Sequence, residues 1–313
     1  MAGRLVFYTG PKGSSDHRVV RLFPGLDTAD THPMPSRWEV LETVDRTPDA
    51  LGVVPIETSI DGELMSVVDR VLFATSRVLF SGEAVLSESI AVFAARGDAQ
   101  PRVVVSHPEI LQLCHSYIEM NALESEIADA TSAACERVRD ARDPGLVALA
   151  PPEVGHQYGL VVVREDPAAI PEVRTRYLLA SRYVADPTGL DRTMLAITPP
   201  RDAPGVLARL LDAFSTNDVN LTSLTSRPLR TVDDRPHHAF VVTADGHVTD
   251  QNLRDAVRSM LGSGCQVRLL GAFARWTSPD VCTPFGELPL GSVDLADAGA
   301  VLEPPRAPAT ARR

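Results

Sequence analysis

Lysine is almost missing from this chain of 313 residues: Lys12 stands alone, and every other basic residue among the 30 is arginine. A mechanism built on a lysine Schiff base has Lys12 or nothing. Cysteine is scarce too. Cys114, Cys135, Cys265 and Cys282 are widely spaced, with no CxxC pair. That spacing excludes a metal finger and fits reduced, mostly buried thiols. No apolar run approaches the ~18 residues of a membrane helix. The apolar stretch within MAGRLVFYTGPKG is too short for a secretory leader. These absences point to a cytoplasmic protein. Basic excess is also absent. A formal net charge of −11 argues against nucleic acid or an anionic membrane as partner. No HExxH and no paired-carboxylate signature appears. What remains is the make-up of a globular chain, 44% hydrophobic and 23% charged, long enough for about two domains.

Short Val-rich runs at 4–10, 50–57, 89–95, 102–106, 145–150 and 160–165 read as strands buried on both faces. Helical patterns lie between them. One covers 108–120, with Pro108 in its first turn; another covers 131–141, with Thr131 or Ser132 as its N-cap. Such alternation predicts an α/β architecture with mostly parallel strands. A Pro-Gly-polar stretch at 184–192 marks a domain boundary. Beyond it the pattern reads strand 192–198, helix 203–217, strands 219–227 and 237–246, helix 249–262 and strand 265–273. That βαββαβ order is the ferredoxin-like unit. From about 276 the chain is rich in Pro, Ala, Gly and Asp, the composition of a disordered tail.

Four clusters could carry chemistry. Gly10-Pro11-Lys12-Gly13-Ser14-Ser15 follows the first strand, where a glycine turn lets backbone N–H groups approach an anion. Val54-Pro55-Ile56-Glu57-Thr58-Ser59 ends the second run and gathers a carboxylate and two hydroxyls. Ser106-His107-Pro108 follows another strand. Glu172-Val173-Arg174-Thr175-Arg176-Tyr177 has the alternation of a strand, in which an inward Arg176 would clamp a carboxylate. Thr175 and Arg176 would face opposite sides of a regular strand. Both can address one ligand only if that strand is bent. The adjacent trio Ser15-Asp16-His17 is a poor triad, because triads assemble in space.

In this order and spacing the clusters resemble the prephenate dehydratase family over about residues 4–275. The family motifs GPxGTF, VPIENSxxGxV, SHPxAL, a Ser-Thr-Ala run, YGL and TRF meet Gly10–Ser15, Val54–Ser59 with Gly62, Ser106–Pro108 with Leu111, Thr131-Ser132-Ala133, Tyr158-Gly159-Leu160 and Thr175-Arg176-Tyr177. The C-terminal unit resembles the family's ACT regulatory domain. Its PGALxxxL and NLTxIESRP signatures read here as Pro204-Gly205-Val206-Leu207 and Asn220-Leu221-Thr222-Ser223-Leu224-Thr225-Ser226-Arg227-Pro228.

The resemblance implies a two-lobed catalytic domain of periplasmic-binding-protein type II architecture over 1–186, with a lobe switch near 75–85 and a return near 155–165. It implies an ACT domain over 190–275 and leaves 276–313 as the tail. The implied reaction is conversion of prephenate to phenylpyruvate, without metal or organic cofactor. Thr175 would assist departure of the hydroxyl and Arg176 would grip a carboxylate. Ser14, Ser15, Thr58, Ser59, His107, Thr131 and Tyr177 would contact substrate. Pro204, Gly205, Val206, Leu207, Asn220, Leu221, Thr225, Ser226 and Arg227 would form a phenylalanine effector site. A homodimer or homotetramer is expected.

The chain departs from the pattern at Ser14-Ser15 for the family's Thr-Phe, Thr58 for Asn, and Thr225 for Glu. Prephenate decarboxylases, which release carbon dioxide without aromatising, resemble it in the first motif. They are the second reading, and a catalytically inactive amino-acid sensor is the third. Retention of Thr175 and Arg176 favours the dehydratase.

Overall fold

A computed structural model describes residues 4–60, 62–168, 172–229, 237–277 and 292. The expected tail therefore lies outside the described residues, apart from its first two positions and Ser292, and so does Cys282. Residues 1–281 form one compact unit. No helix among the described residues is long and apolar enough to cross a membrane.

The chain begins with β1 (Leu5–Thr9), α1 (Ser15–Val19), β2 (Asp30–Met34), α2 (Arg37–Arg46), β3 (Leu51–Thr58), β4 (Gly62–Glu63), α3 (Met65–Ala74) and β5 (Leu79–Glu88). It then builds a second sheet from β6 (Ala91–Ala94), β7 (Val103–Ser106), β8 (Glu124–Ile127), β9 (Leu146–Ala150) and β10 (Val161–Glu165). Helices α4 (Pro108–Leu113), α5 (His115–Met120), α6 (Thr131–Ala141) and α7 (Pro152–Gln157) connect these strands. β11 (Val173–Ser181) returns to the first sheet. β12 (Asp191–Thr198), α8 (Val206–Ser215), β13 (Leu221–Leu229), β14 (His237–Asp245), α9 (Gln251–Gly262) and β15 (Gln266–Ala274) follow.

The fold is α/β with mixed sheets. The first sheet has ten strands, in the order β13-β14-β12-β15-β5-β11-β3-β1-β2, with β4 on β3; the second runs β10-β6-β9-β7-β8. The chain leaves the first sheet between Glu88 and Ala91 and returns between Glu165 and Val173. The first crossing falls a few residues after the expected 75–85, because the chain runs through the whole of β5 before leaving, and the return follows the expected 155–165, because β10 still belongs to the second sheet. The expected single helix over 108–120 is two short ones, broken at Cys114 (φ −96°, ψ 15°). Thr131 and Ser132 lie inside α6, not at its cap. Ala130 occupies that position without a side-chain hydrogen bond.

Apolar packing separates the two faces of the first sheet. Val6, Tyr8, Val53, Ala84, Tyr177 and Leu179 pack under α1 and the turn after it. On the other face Val54, Ile56, Leu178 and Ala180 pack with α2 and α3, and with Met194, Val241, Leu270 and Phe273 of the last four strands. β5 joins β15 where Gly271 pairs with Phe80. A Cβ on Gly271 would stand 2.4 Å from the Phe80 carbonyl oxygen, so glycine is required there.

Candidate active site

The ends of four strands meet at one edge of the first sheet. β1 and β3 are parallel neighbours, so Ser14 and Ser15 after β1 lie at the same edge as Thr58 and Ser59 at the end of β3. β11 runs antiparallel to both β3 and β5. Its first residues therefore reach that edge together with Glu88, which ends β5 opposite Val173.

Thr175 pairs directly with Thr58 on one side and with Leu86 on the other. Side chains of opposed residues share a face. Thr175 lies on the face of Tyr177, under α1. The α1 side chains close over this row. Ser14 caps the helix, accepting from the His17 N–H at 3.3 Å and donating to the Thr9 carbonyl at 3.1 Å. Ser15 donates to Glu88 Oε2 at 2.7 Å. The Tyr177 hydroxyl donates to Asp16 Oδ1 at 3.1 Å. Burial pushes the Asp16 carboxyl up to about 6, against the Thr9 and Tyr177 hydroxyls, which favour its charge. Burial also raises Glu88, with Arg18 and Ser15 opposing.

The second sheet contributes an edge of its own. β7 and β8 are parallel neighbours; His107 follows the first and Thr131 the second. Ser106 is buried and donates to the Leu149 carbonyl at 2.7 Å. His107 is half-exposed, 3.8 Å from Glu109. Arg18 ties the two parts together, pairing with Glu88 on β5 and with Glu153 on α7 at 3.1 Å.

Several expected site residues go elsewhere. β11 holds an unbroken register with β5 from Val173 to Leu179, so Arg176 turns to the face opposite Thr175. There its guanidinium pairs with Glu57 at 2.9 Å and Glu83 at 3.2 Å. The expected carboxylate clamp is thus engaged by two of the chain's own carboxylates. Tyr177 is buried, with its hydroxyl donating to Asp16 beneath α1. Ser59 uses its hydroxyl to accept from the Arg174 N–H at 3.1 Å, pinning β3 to β11.

The expected effector residues divide. Gly205, Val206 and Leu207 line a cavity of about 420 Å³ with Phe240, which Ser226 opposes in the ladder. Pro204 immediately precedes this turn, and Gly205 there takes φ +80°. Thr225 instead donates to Glu63 at 2.7 Å, and Arg227 pairs with Asp69, both on the opposite face of β13. Leu221 packs beneath α8 and α9. Asn220 donates to Asp245 at 2.7 Å.

Sequence reading missed Asp16, Glu88 and Arg18 as site residues. In the adjacent trio Ser15-Asp16-His17, His17 stacks on Tyr8 at 4.8 Å and accepts from the Gly13 N–H, so no triad forms. Among the described residues no three His, Cys, Asp or Glu side chains cluster as metal ligands would.

Comparison with known proteins identifies the family. The family model described as prephenate dehydratase matches residues 6–184. A prephenate dehydratase of Amycolatopsis methanolica is 28% identical over 277 residues, covering 86% of this chain and 88% of the relative. The crystal structure of prephenate dehydratase from Arthrobacter aurescens in complex with L-Phe superposes with a TM-score of 0.76 at 26% identity, covering 87% of this chain and 90% of that one. The Staphylococcus aureus enzyme superposes at 0.72 with 25% identity, covering 86% and 99%. With the family model spanning more than half of the sequence, the chain belongs to the prephenate dehydratase family.

Proposed function

We propose that this chain converts prephenate to phenylpyruvate with loss of carbon dioxide and water, the reaction of a carbon–oxygen lyase in phenylalanine biosynthesis. The observation that carries the reading is the Thr175–Thr58 pair, set under the start of α1 where four strand ends converge. In the reaction the bond from the ring to its carboxylate breaks and the electron pair enters the ring. The carbon–oxygen bond to the ring hydroxyl breaks, and the departing oxygen takes a proton to become water. Aromatisation supplies the driving force, so the protein must mainly orient the dianion and stabilise the leaving oxygen.

Thr175 donates a hydrogen bond to that oxygen, with Thr58 beside it. A threonine hydroxyl is too weak an acid to act alone. Asp16, on the same face and held near 6, is the group that can hold the required proton. Ser14, Ser15, His107 and Thr131 contact the substrate in this reading, and Ser59 holds β3 to β11 beside them. Arg176 and Tyr177 have structural roles.

Residues 1–186 act, in this reading, as a two-lobed catalytic domain of periplasmic-binding-protein type II architecture. Residues 190–275 act as an ACT domain. The segment from β12 to β15 supports this with its βαββαβ order and its strand order β13-β14-β12-β15. The Arthrobacter structure holds L-Phe. The corresponding effector would sit at Gly205–Leu207 and Phe240, and the ACT domains would pair copies of the chain into a homodimer or homotetramer.

The test is to incubate the purified chain with prephenate and follow phenylpyruvate by its absorbance at alkaline pH. Phenylpyruvate should form, and Thr175→Val should lower kcat about 10²-fold or more. Carbon dioxide with a non-aromatic keto acid, or no turnover at all, would sink the proposal.

A further inference from the structure

With Arg176 engaged on the far face, the dianionic substrate needs another cation. We propose that a basic cavity under the first-motif loop, walled by Lys12, Arg18 and Arg21, takes one of its carboxylates. The cavity measures about 490 Å³ and also touches His17, Leu86 and Gln157. No carboxylate lines it, in a chain whose net charge is −11. Leu86 is the residue directly opposite Thr175 across β5 and β11. Opposed Cβ atoms lie ~5 Å apart, so Leu86 is the wall residue that links this cavity to Thr175.

Lys12 and Arg21 are exposed, and neither pairs with a carboxylate among the described residues. Their fields reach inward: after burial, the charges of Arg21 and then Lys12 hold the His17 imidazole below its usual range. Arg18 is fixed between Glu88 and Glu153 and so stands in one place at the cavity wall. Gln157 lies against Gly13 and brings an amide from α7 to the same rim. Arg18 is already shared by Glu88 and Glu153, so the two cations without a carboxylate partner among the described residues, Lys12 and Arg21, are the ones that suit an incoming carboxylate.

This inference rests on the reaction read above, and two measurements separate the two. Lys12→Gln with Arg21→Gln should raise KM for prephenate about tenfold, with kcat within twofold. Added salt should raise KM of the parent chain more steeply than that of the double variant, because screening acts on the removed charges. Unchanged KM in an active enzyme would overturn the cavity assignment and leave the reaction standing. Should the parent chain show no turnover, calorimetric titration with prephenate decides. Affinity that drops in the double variant keeps the subsite while the reaction fails; equal affinity removes the subsite as well.

Discussion

Asp16 shows how far a single residue departs from what its neighbours in sequence suggest. Its partner is Tyr177, 161 residues away, and nothing local reports that distance. Burial raises its carboxyl from the ordinary 3.8 to about 6; the Thr9 and Tyr177 hydroxyls and the Arg37 charge oppose this, and Glu88 adds to it. The folded chain therefore binds a proton at this position more tightly than the unfolded chain. Protonation stabilises the fold fully below the unfolded value, and that contribution is lost as pH rises through about 6. Asp16→Asn keeps an oxygen for the Tyr177 hydroxyl and removes the buried charge. The variant should be more stable than the parent at pH 8, by about 1–2 kcal/mol, with the gap closing by pH 4. Urea unfolding midpoints at the two pH values check this, and a gap that grows on acidification would refute it. The same substitution should lower turnover, since the proton near the leaving oxygen is gone.

At the scale of elements, β3 and β11 explain why two neighbouring residues of one motif do different work. Pro55 has no N–H to donate, and the ladder slips there: Arg176 faces Glu57, but Tyr177 faces Pro55, with Ile56 passed over. That bulge leaves Thr58 with Thr175 on one face and Glu57 with Arg176 on the other. The alternation of Thr175 and Arg176 was legible, and the open question of a bent strand is settled by the unbroken register with β5. β5 itself was not legible. Its polar-apolar mixture, LFSGEAVLSE, hides a central strand because Glu83 is fully buried among Arg176, Arg192 and the Trp276 N–H. Sequence patterns count a glutamate as exposed; only the partners supplied by β11 and β12 make it a core residue. Arg176→Gln should leave Glu57 without its cation and cost about 1–3 kcal/mol of stability. KM for prephenate should stay within twofold. A tenfold rise in KM without loss of stability would return Arg176 to the substrate.

At the scale of the whole molecule, β13 and β2 are the edge strands of the ten-stranded sheet among the described residues, and they are not alike. β2 carries Pro33 and Asp30, which blunt it against further pairing. β13 runs from Leu221 to Ser226 without charge or proline, and its outer row includes exposed Leu224. Beside it, exposed Leu207 and Leu211 of α8 border the cavity at Phe240. The βαββαβ order that builds this edge was legible from periodicity alone, because α8 and α9 each repeat apolar residues on one face over a regular antiparallel sheet. The division of the effector residues was not, since the bulge between Leu221 and Ser223 sets which of them look outward. An unprotected edge and an apolar rim on one side of one segment favour pairing with a second copy through that side. The chain should sediment as a dimer or larger at micromolar concentration, and Leu207→Arg with Leu211→Arg should shift it toward the monomer without unfolding. A parent chain that sediments as a monomer, or a double variant of unchanged mass, would mean that these leucines face water. In that event β13 stays unpaired in solution, and an effector at Gly205–Leu207 would have to be held by one chain alone.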